Sequence, residues 1–213
     1  MERFLESCCT SLEQALEAQR RGASRIELCE ELSVGGVTPS NELLEAVVGA
    51  VDIPVNVLVR PRGGDFVFNE DEIRQMEASI RDCKRLGAAG VVIGALDAAG
   101  NVDMPTMRRL VSLARELGGL TITFHRAFDV CADPHEAFER VLELGCDRLL
   151  TSGHEPDAFQ GRFLIAELVE KAGDRLIVMA GCGVRPSNVA EIETVTKAKE
   201  YHASFTYFVI NFF

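Results

Sequence analysis

The sequence predicts a (β/α)8 barrel, and three observations carry that prediction. One pattern repeats from end to end: a short apolar or β-branched run, a few Gly, Pro or polar residues, then a helical stretch with a period of about 3.6. The strand-like runs fall at residues 4–8, 25–29, 55–60, 90–96, 120–125, 148–152, 175–180 and 200–204, which makes eight. The length, 213 residues, suits one such barrel better than two ordinary domains. Strands alternating with helices imply parallel pairing, and eight such units close a barrel more naturally than they extend a sheet. No linker or low-complexity segment divides the chain, so residues 1–204 are read as a single domain.

The elements follow in order. Residues 11–21 form a helix with Leu12, Ala15, Leu16 and Gln19 on one face. Ser40-Asn41-Glu42 is a helix start before Leu43, Leu44 and Val47, and residues 69–86 form a longer helix carrying Ile73, Met76, Ile80 and Cys83. Helices end at Gly22, Gly87, Gly118, Gly145 and Gly173, because glycine accepts the left-handed conformation that closes a helix. After the eighth strand the pattern breaks. Residues 205–213 are rich in aromatic and β-branched types, which favour extended structure, so the eighth helix is expected to be missing or replaced. An apolar tail of this kind packs on the barrel, packs on a partner, or aggregates.

Composition excludes several function classes. Hydrophobic residues make up 47% of the chain and the net charge is −11, with no basic cluster. Such a surface repels nucleic-acid backbones and anionic membranes. No apolar run approaches the roughly 20 residues that span a bilayer, and Met1-Glu2-Arg3 leads into a strand rather than a signal peptide. The seven cysteines are odd in number and include no Cys-x-x-Cys pair. Reduced thiols in the cytoplasm are therefore expected, without a zinc site of the usual spacing.

In such barrels chemistry sits where strands end and loops begin. Strand alternation sends Glu6 and Cys8 inward from the first strand and Glu27 and Cys29 from the second. The third delivers Arg60, followed by Arg62 and Asp65. The fifth ends with Thr123 and His125 inward, then Arg126 and Asp129. Ser152 closes the sixth strand, and the eighth supplies His202 and Ser204. Each of these taken alone could be an interior ion pair or a hydrogen-bonded core residue. So many converging on one mouth would be a costly way to build stability alone. Arg60 and Arg62 are suited to gripping a carboxylate or phosphate. The Gly181-Cys182-Gly183 turn, ahead of a helix beginning near Pro186, is a candidate anion site.

Cys8 and Cys29 sit at equivalent levels of neighbouring strands, about 4.8 Å apart. Their sulfurs could meet, and two thiolates suit the soft ion Cu(I). The plainer reading is that both are small core residues. Cys83 and Cys146 read as packing residues, whereas Cys9, Cys131 and Cys182 have no assignable partner.

At these same positions the sequence resembles the CutC family. The segments are Arg25-Ile-Glu-Leu-Cys29, Gly35-Gly-Val-Thr-Pro-Ser40, Arg60-Pro-Arg-Gly-Gly-Asp-Phe66, Thr123-Phe-His-Arg-Ala-Phe-Asp129, Leu150-Thr-Ser-Gly153 and Tyr201-His-Ala-Ser204. They run in the family's order over about residues 4 to 204. The resemblance implies a TIM-type barrel, a cytoplasmic location, a homodimer or higher homo-oligomer, and copper homeostasis with Cu(I) binding at Cys8 and Cys29. No settled enzymatic reaction comes with it. Two departures stand out. Gly-Cys-Gly replaces the usual Gly-Gly-Gly, and family members continue past the eighth strand with a further loop and helix.

Three hypotheses follow. One is a copper-homeostasis protein with Cys8 and Cys29 as soft ligands. Another is an enzyme on a small phosphorylated or carboxylated metabolite, with Arg60 and Arg62 binding the anion, Glu27 or Glu6 as base and His125 as acid. The third is a scaffold whose tail recruits a partner.

Overall fold

A computed structural model describes residues 3–208, with side chains through residue 206. Eight strands alternate with helices: β1 (Phe4–Cys9), α1 (Leu12–Arg20), β2 (Arg25–Leu28), α2 (Asn41–Val48), β3 (Val55–Leu58), α3 (Glu70–Arg85), β4 (Gly90–Ile93) and α4 (Met104–Leu117). The second half runs β5 (Thr121–Phe124), α5 (Pro134–Leu144), β6 (Arg148–Thr151), α6 (Arg162–Ala172), β7 (Ile177–Ala180), α7 (Val189–Thr196), β8 (Glu200–Ser204) and α8 (Phe205–Phe208). Each strand pairs in parallel with the next, and β8 returns to β1 to close the barrel. The TIM-type fold expected from the repeat is the fold observed.

The alternation of side chains divides the core into two shells. Leu5, Ile26, Leu28, Val57, Ile122 and Phe124 face outward into the layer beneath the helices. Cys8, Cys29, Leu58 and Val92 form a smaller apolar cluster of their own. Local signals place the helices as expected. The Ser40 hydroxyl caps α2 by accepting from the Leu43 amide, and Asn69 and Glu72 form a reciprocal capping box at the start of α3. The five glycines expected to end helices all have positive φ, between 56° and 87°.

Three expectations are corrected. On α1 the buried residues are Ala15 and Ala18, while Leu16 is exposed, because small side chains let the helix lie close to the barrel. Gln19 accepts instead from the amides of Asp52 and Ile53, tying down the next loop. The helix expected near Pro186 starts only at Val189. Several strands also end before their mouth residues: Cys29, Arg60, His125 and Ser152 lie just beyond β2, β3, β5 and β6. The eighth helix, as expected, is replaced: a single turn, α8, touches β1, β8 and α1. Residues 209–213 of the apolar tail lie outside the described residues.

The barrel interior holds a chain of ions. Arg25 is buried and donates to Glu6 and, at 2.6 Å, to Glu200. Arg148 donates to the same Glu200 oxygen at 2.9 Å. Removing one member of a buried ion pair strands the other's charge, at a cost of about 3–5 kcal/mol. Arg25→Met is therefore expected to lower the urea unfolding free energy by about 3–5 kcal/mol. The exposed ion pair of Arg74 with Glu70 should contribute under about 1 kcal/mol when disrupted in the same assay.

Candidate functional site

The site begins where β1, β2 and β8 lie side by side. In the ladder Cys8 is opposite Glu27 on one side and Ser204 on the other, and Glu6 is opposite both Arg25 and His202. This register brings five sequence-predicted residues together: Glu6, Cys8, Glu27, His202 and Ser204. The Cys8 and Cys29 sulfurs lie 3.5 Å apart, and all seven cysteines are free thiols. His202 Nδ1 is 2.8 Å from Glu6 Oε1, and its Nε2 is 3.7 Å from Glu27 Oε2.

The electrostatics follow from burial and from Arg25. Burial opposes a charge on Glu6, but Arg25 and His202 outweigh it and hold the carboxyl down to about 2. Glu27, two residues along from Arg25, moves the other way, because burial and the charge of Glu6 exceed the pull of His202. Burial works against a charge on His202, yet Glu27 and Glu6 raise it above the ordinary histidine value. The Cys8 thiol is raised well above its ordinary value by its hydrogen bond with Cys29, by burial and by Glu27.

The facing wall is a stack of three residues. The Arg60 guanidinium lies 4.6 Å from the Phe66 ring centre, and Phe66 packs 4.9 Å from His125. Arg60 donates to the carbonyls of Val34 at 3.1 Å, Gly36 at 3.0 Å and Gly64 at 2.6 Å. It therefore buckles two loops together. Gly35 and Gly36, at φ 87° and 88°, lie where a Cβ would crowd Arg60 and collide with Leu58. Burial and the nearby charges of Arg60 and Arg126 press His125 down to about 3, so the ring is neutral. Its Nδ1 accepts from the Ala127 amide at 3.1 Å, which leaves the proton on Nε2, a buried donor without a partner among the described residues.

These walls enclose a cavity of about 440 Å³ at the C-terminal ends of the strands. Cys8, Glu27, Cys29, Arg60, His125 and His202 are among the residues that line it, as are Arg126, Asp129, Gly183 and Ser204. Other predicted residues serve elsewhere. Arg62 points away, donating to Glu72 at 2.6 Å and pairing with Asp65 at 3.0 Å, so it braces its own loop against α3. With Arg62 outside and three donations from Arg60 engaged by carbonyls, the expected two-arginine clamp is not assembled. Asp129 accepts from Thr151, from the Ser152 amide at 3.0 Å and from Arg126 at 2.7 Å, which makes it a brace between loops. The Ser152 hydroxyl donates to the Glu155 carbonyl at 2.7 Å. The Gly181 amide donates to Thr151 within the barrel, and Gly183 packs on Asp157, whose carboxylate opposes a bound anion. His125, read as an acid, is instead a neutral donor.

The chain matches the CutC family model over residues 3–207. It is 49% identical over 205 residues to a family protein CutC of Parabacteroides distasonis, covering 96% of this chain and 83% of that one. The chain belongs to the CutC family. A Xylella fastidiosa CutC family protein is 50% identical over 200 residues, covering 94% and 74% of the two chains. The crystal structure of the Streptococcus agalactiae CutC protein superposes with a TM-score of 0.89 at 31% identity, covering 96% and 99%. A dihydrodipicolinate synthase from Bacillus anthracis, at 14% identity and a TM-score of 0.66, shares the fold alone, over 99% of this chain and 72% of its own.

In this member of the family the sequence reading missed three members of the ion chain, Arg25, Arg148 and Glu200, and the central place of Phe66. The signal for Arg25 was available, since the alternation that turns Glu27 and Cys29 inward turns Arg25 inward too. Among the described residues Cys131 meets His154, Sγ to Nε2, at 3.2 Å, a pairing that no local spacing announces.

His125 titrates at about 3 folded against an ordinary 6.5, so across that window the unfolded chain binds the extra proton. Its contribution to stability is complete above pH 6.5 and is lost as pH falls toward 3. His125→Asn should flatten the fall by up to about 1.4 kcal/mol per pH unit, read from urea unfolding at stepped pH.

Proposed function

We propose that this protein is a cytosolic copper-homeostasis protein that binds Cu(I) through Cys8 and Cys29. The observation that carries the reading is the 3.5 Å approach of the two sulfurs at the edge of the cavity. A first-row metal sits about 2.3 Å from each thiolate, so a bent bridge spans roughly 4 Å. The sulfurs need part by only about half an ångström. Cu(I) is soft, tolerates low coordination and favours thiolates, and a largely apolar surround of Leu58 and Val92 offers no competing hard ligand on that side. Binding displaces thiol protons, so uptake strengthens as pH rises. The copper-homeostasis name of the Streptococcus agalactiae relative supports the same reading. Among the described residues no helix is long and apolar enough to cross a membrane.

A second reading, an enzyme on a small carboxylated or phosphorylated metabolite, rests on a different observation. The cavity of about 440 Å³ is much larger than an ion requires, and it presents the unpartnered His125 Nε2–H beside the half-exposed guanidinium of Arg126. In that reading His125 and Arg126 hold the anion, and Glu27 is the base.

Titration of the reduced protein with Cu(I) against a competing chelator separates the two. Cys8→Ser with Cys29→Ser should weaken Cu(I) binding by more than about 100-fold, while Arg126→Ala leaves it unchanged. Equal affinity in the double variant would rule out the thiol pair. Thermal stabilisation of the wild type by small phosphates or carboxylates, lost in Arg126→Ala, would favour the metabolite reading.

A further inference from the structure

Cys8 has a second set of neighbours. A sulfur of Cys8, a carboxylate oxygen of Glu27 and a ring nitrogen of His202 all lie within 4.8 Å of one another. They come from three adjacent strands, and the barrel register fixes them, since Cys8 is opposite Glu27 and the β1–β8 pairing sets His202 one inward position below Ser204. A tetrahedral zinc ion with ligands at 2.0–2.3 Å spaces those atoms about 3.3–3.8 Å apart. The Glu27 to His202 separation is already 3.7 Å, and the closure needed at Cys8 is at most about 1.3 Å.

The surroundings match a metal site in a further respect. Glu6 is fully buried and holds His202 by Nδ1 at 2.8 Å, which aims Nε2 toward Glu27 and Cys8. A carboxylate on the far nitrogen of an imidazole is the usual outer partner of a metal-bound histidine, fixing its tautomer and raising its basicity. Arg25 holds Glu6 in turn. Thiolate, carboxylate and imidazole together carry two negative charges, which neutralise a divalent ion in a buried place. They supply a borderline-soft donor set unlike the all-sulfur pair that suits Cu(I). Three protein ligands leave a fourth position, and all three side chains line the cavity, so that position is open to water or a small ligand.

We propose that Cys8, Glu27 and His202 form a binding site for a divalent ion of the zinc class, separate in its ligands from the Cys8–Cys29 pair. Cys8 belongs to both sets, so the two ions exclude one another, and the site discriminates by charge and softness. The zinc site does not depend on Cys29, and it stands or falls independently of copper binding.

The experiment titrates the reduced full chain with Zn2+ against a chromophoric chelator and records Co2+ spectra of the same proteins. The wild type should bind one Zn2+. Glu27→Gln and His202→Gln should weaken it by at least about 10–100-fold, whereas Cys29→Ser should keep the affinity within a few-fold. With Co2+, the wild type and Cys29→Ser should show a thiolate charge-transfer band and the intense visible bands of a tetrahedral ion, and Cys8→Ser should lack the thiolate band. Thermal melts check that each variant is folded, and the wild-type Co2+ spectrum needs no variant at all. Absence of Zn2+ binding by the wild type, a Co2+ spectrum without a thiolate band, or loss in Cys29→Ser equal to that in Glu27→Gln would overturn the proposal. Loss of Cu(I) binding alone would overturn the copper reading and leave this one standing.

Discussion

The polar interior of this barrel depends on Arg25. A fully buried Glu6 is tolerable only because a guanidinium lies against it, and that same guanidinium reaches Glu200, which also accepts from Arg148. Once Glu6 is held as an anion it can fix His202 by Nδ1, and His202 then turns its other nitrogen toward Glu27 and Cys8. The chain of consequences runs inward to outward through the barrel. A structural ion pair becomes an oriented imidazole, and the imidazole becomes part of a cavity wall.

The opposite wall is built on another arginine with another purpose. Arg60 spans three loop carbonyls and lies on Phe66, which packs on His125. Fixing the loops in this way keeps His125 buried and uncharged, with one N–H that meets no acceptor among the described residues. The cavity thus sets a face of thiol and carboxylate against a donor face of neutral His125 with the Arg60 and Arg126 guanidiniums. That asymmetry suits a cation on one side and an anionic or polar group on the other.

Much of this was legible in the sequence because barrels convert alternation into direction. Knowing that Ile26 and Leu28 face helices is enough to turn Glu27 and Cys29 inward, and both line the cavity. The repeat also gave all eight strands, since a period of two followed by a period of about 3.6 leaves few alternatives. What sequence could not give was the destination of long side chains. Arg60 and Arg62 both follow β3, yet one folds over the mouth and the other reaches back to Glu72 on α3. Their lengths allow either course, and the choice is made by loop carbonyls and a helix-cap carboxylate contributed from elsewhere in the chain. Asp129 is similar: the sequence sets its carboxylate at the barrel mouth, but loop amides after β6 claim it. The register between β1 and β8, which joins residues 196 positions apart, is likewise invisible before the barrel closes.

The most direct test of this account is the protonation of the histidine rings, read from long-range nitrogen–proton NMR correlations above the titration of His202. The account predicts opposite tautomers in one spectrum: His202 with its proton on Nδ1, held by Glu6, and His125 with its proton on Nε2, because the Ala127 amide occupies Nδ1. A His202 ring protonated on Nε2 would contradict it, since that nitrogen could then neither face Glu27 as a base nor hold a metal.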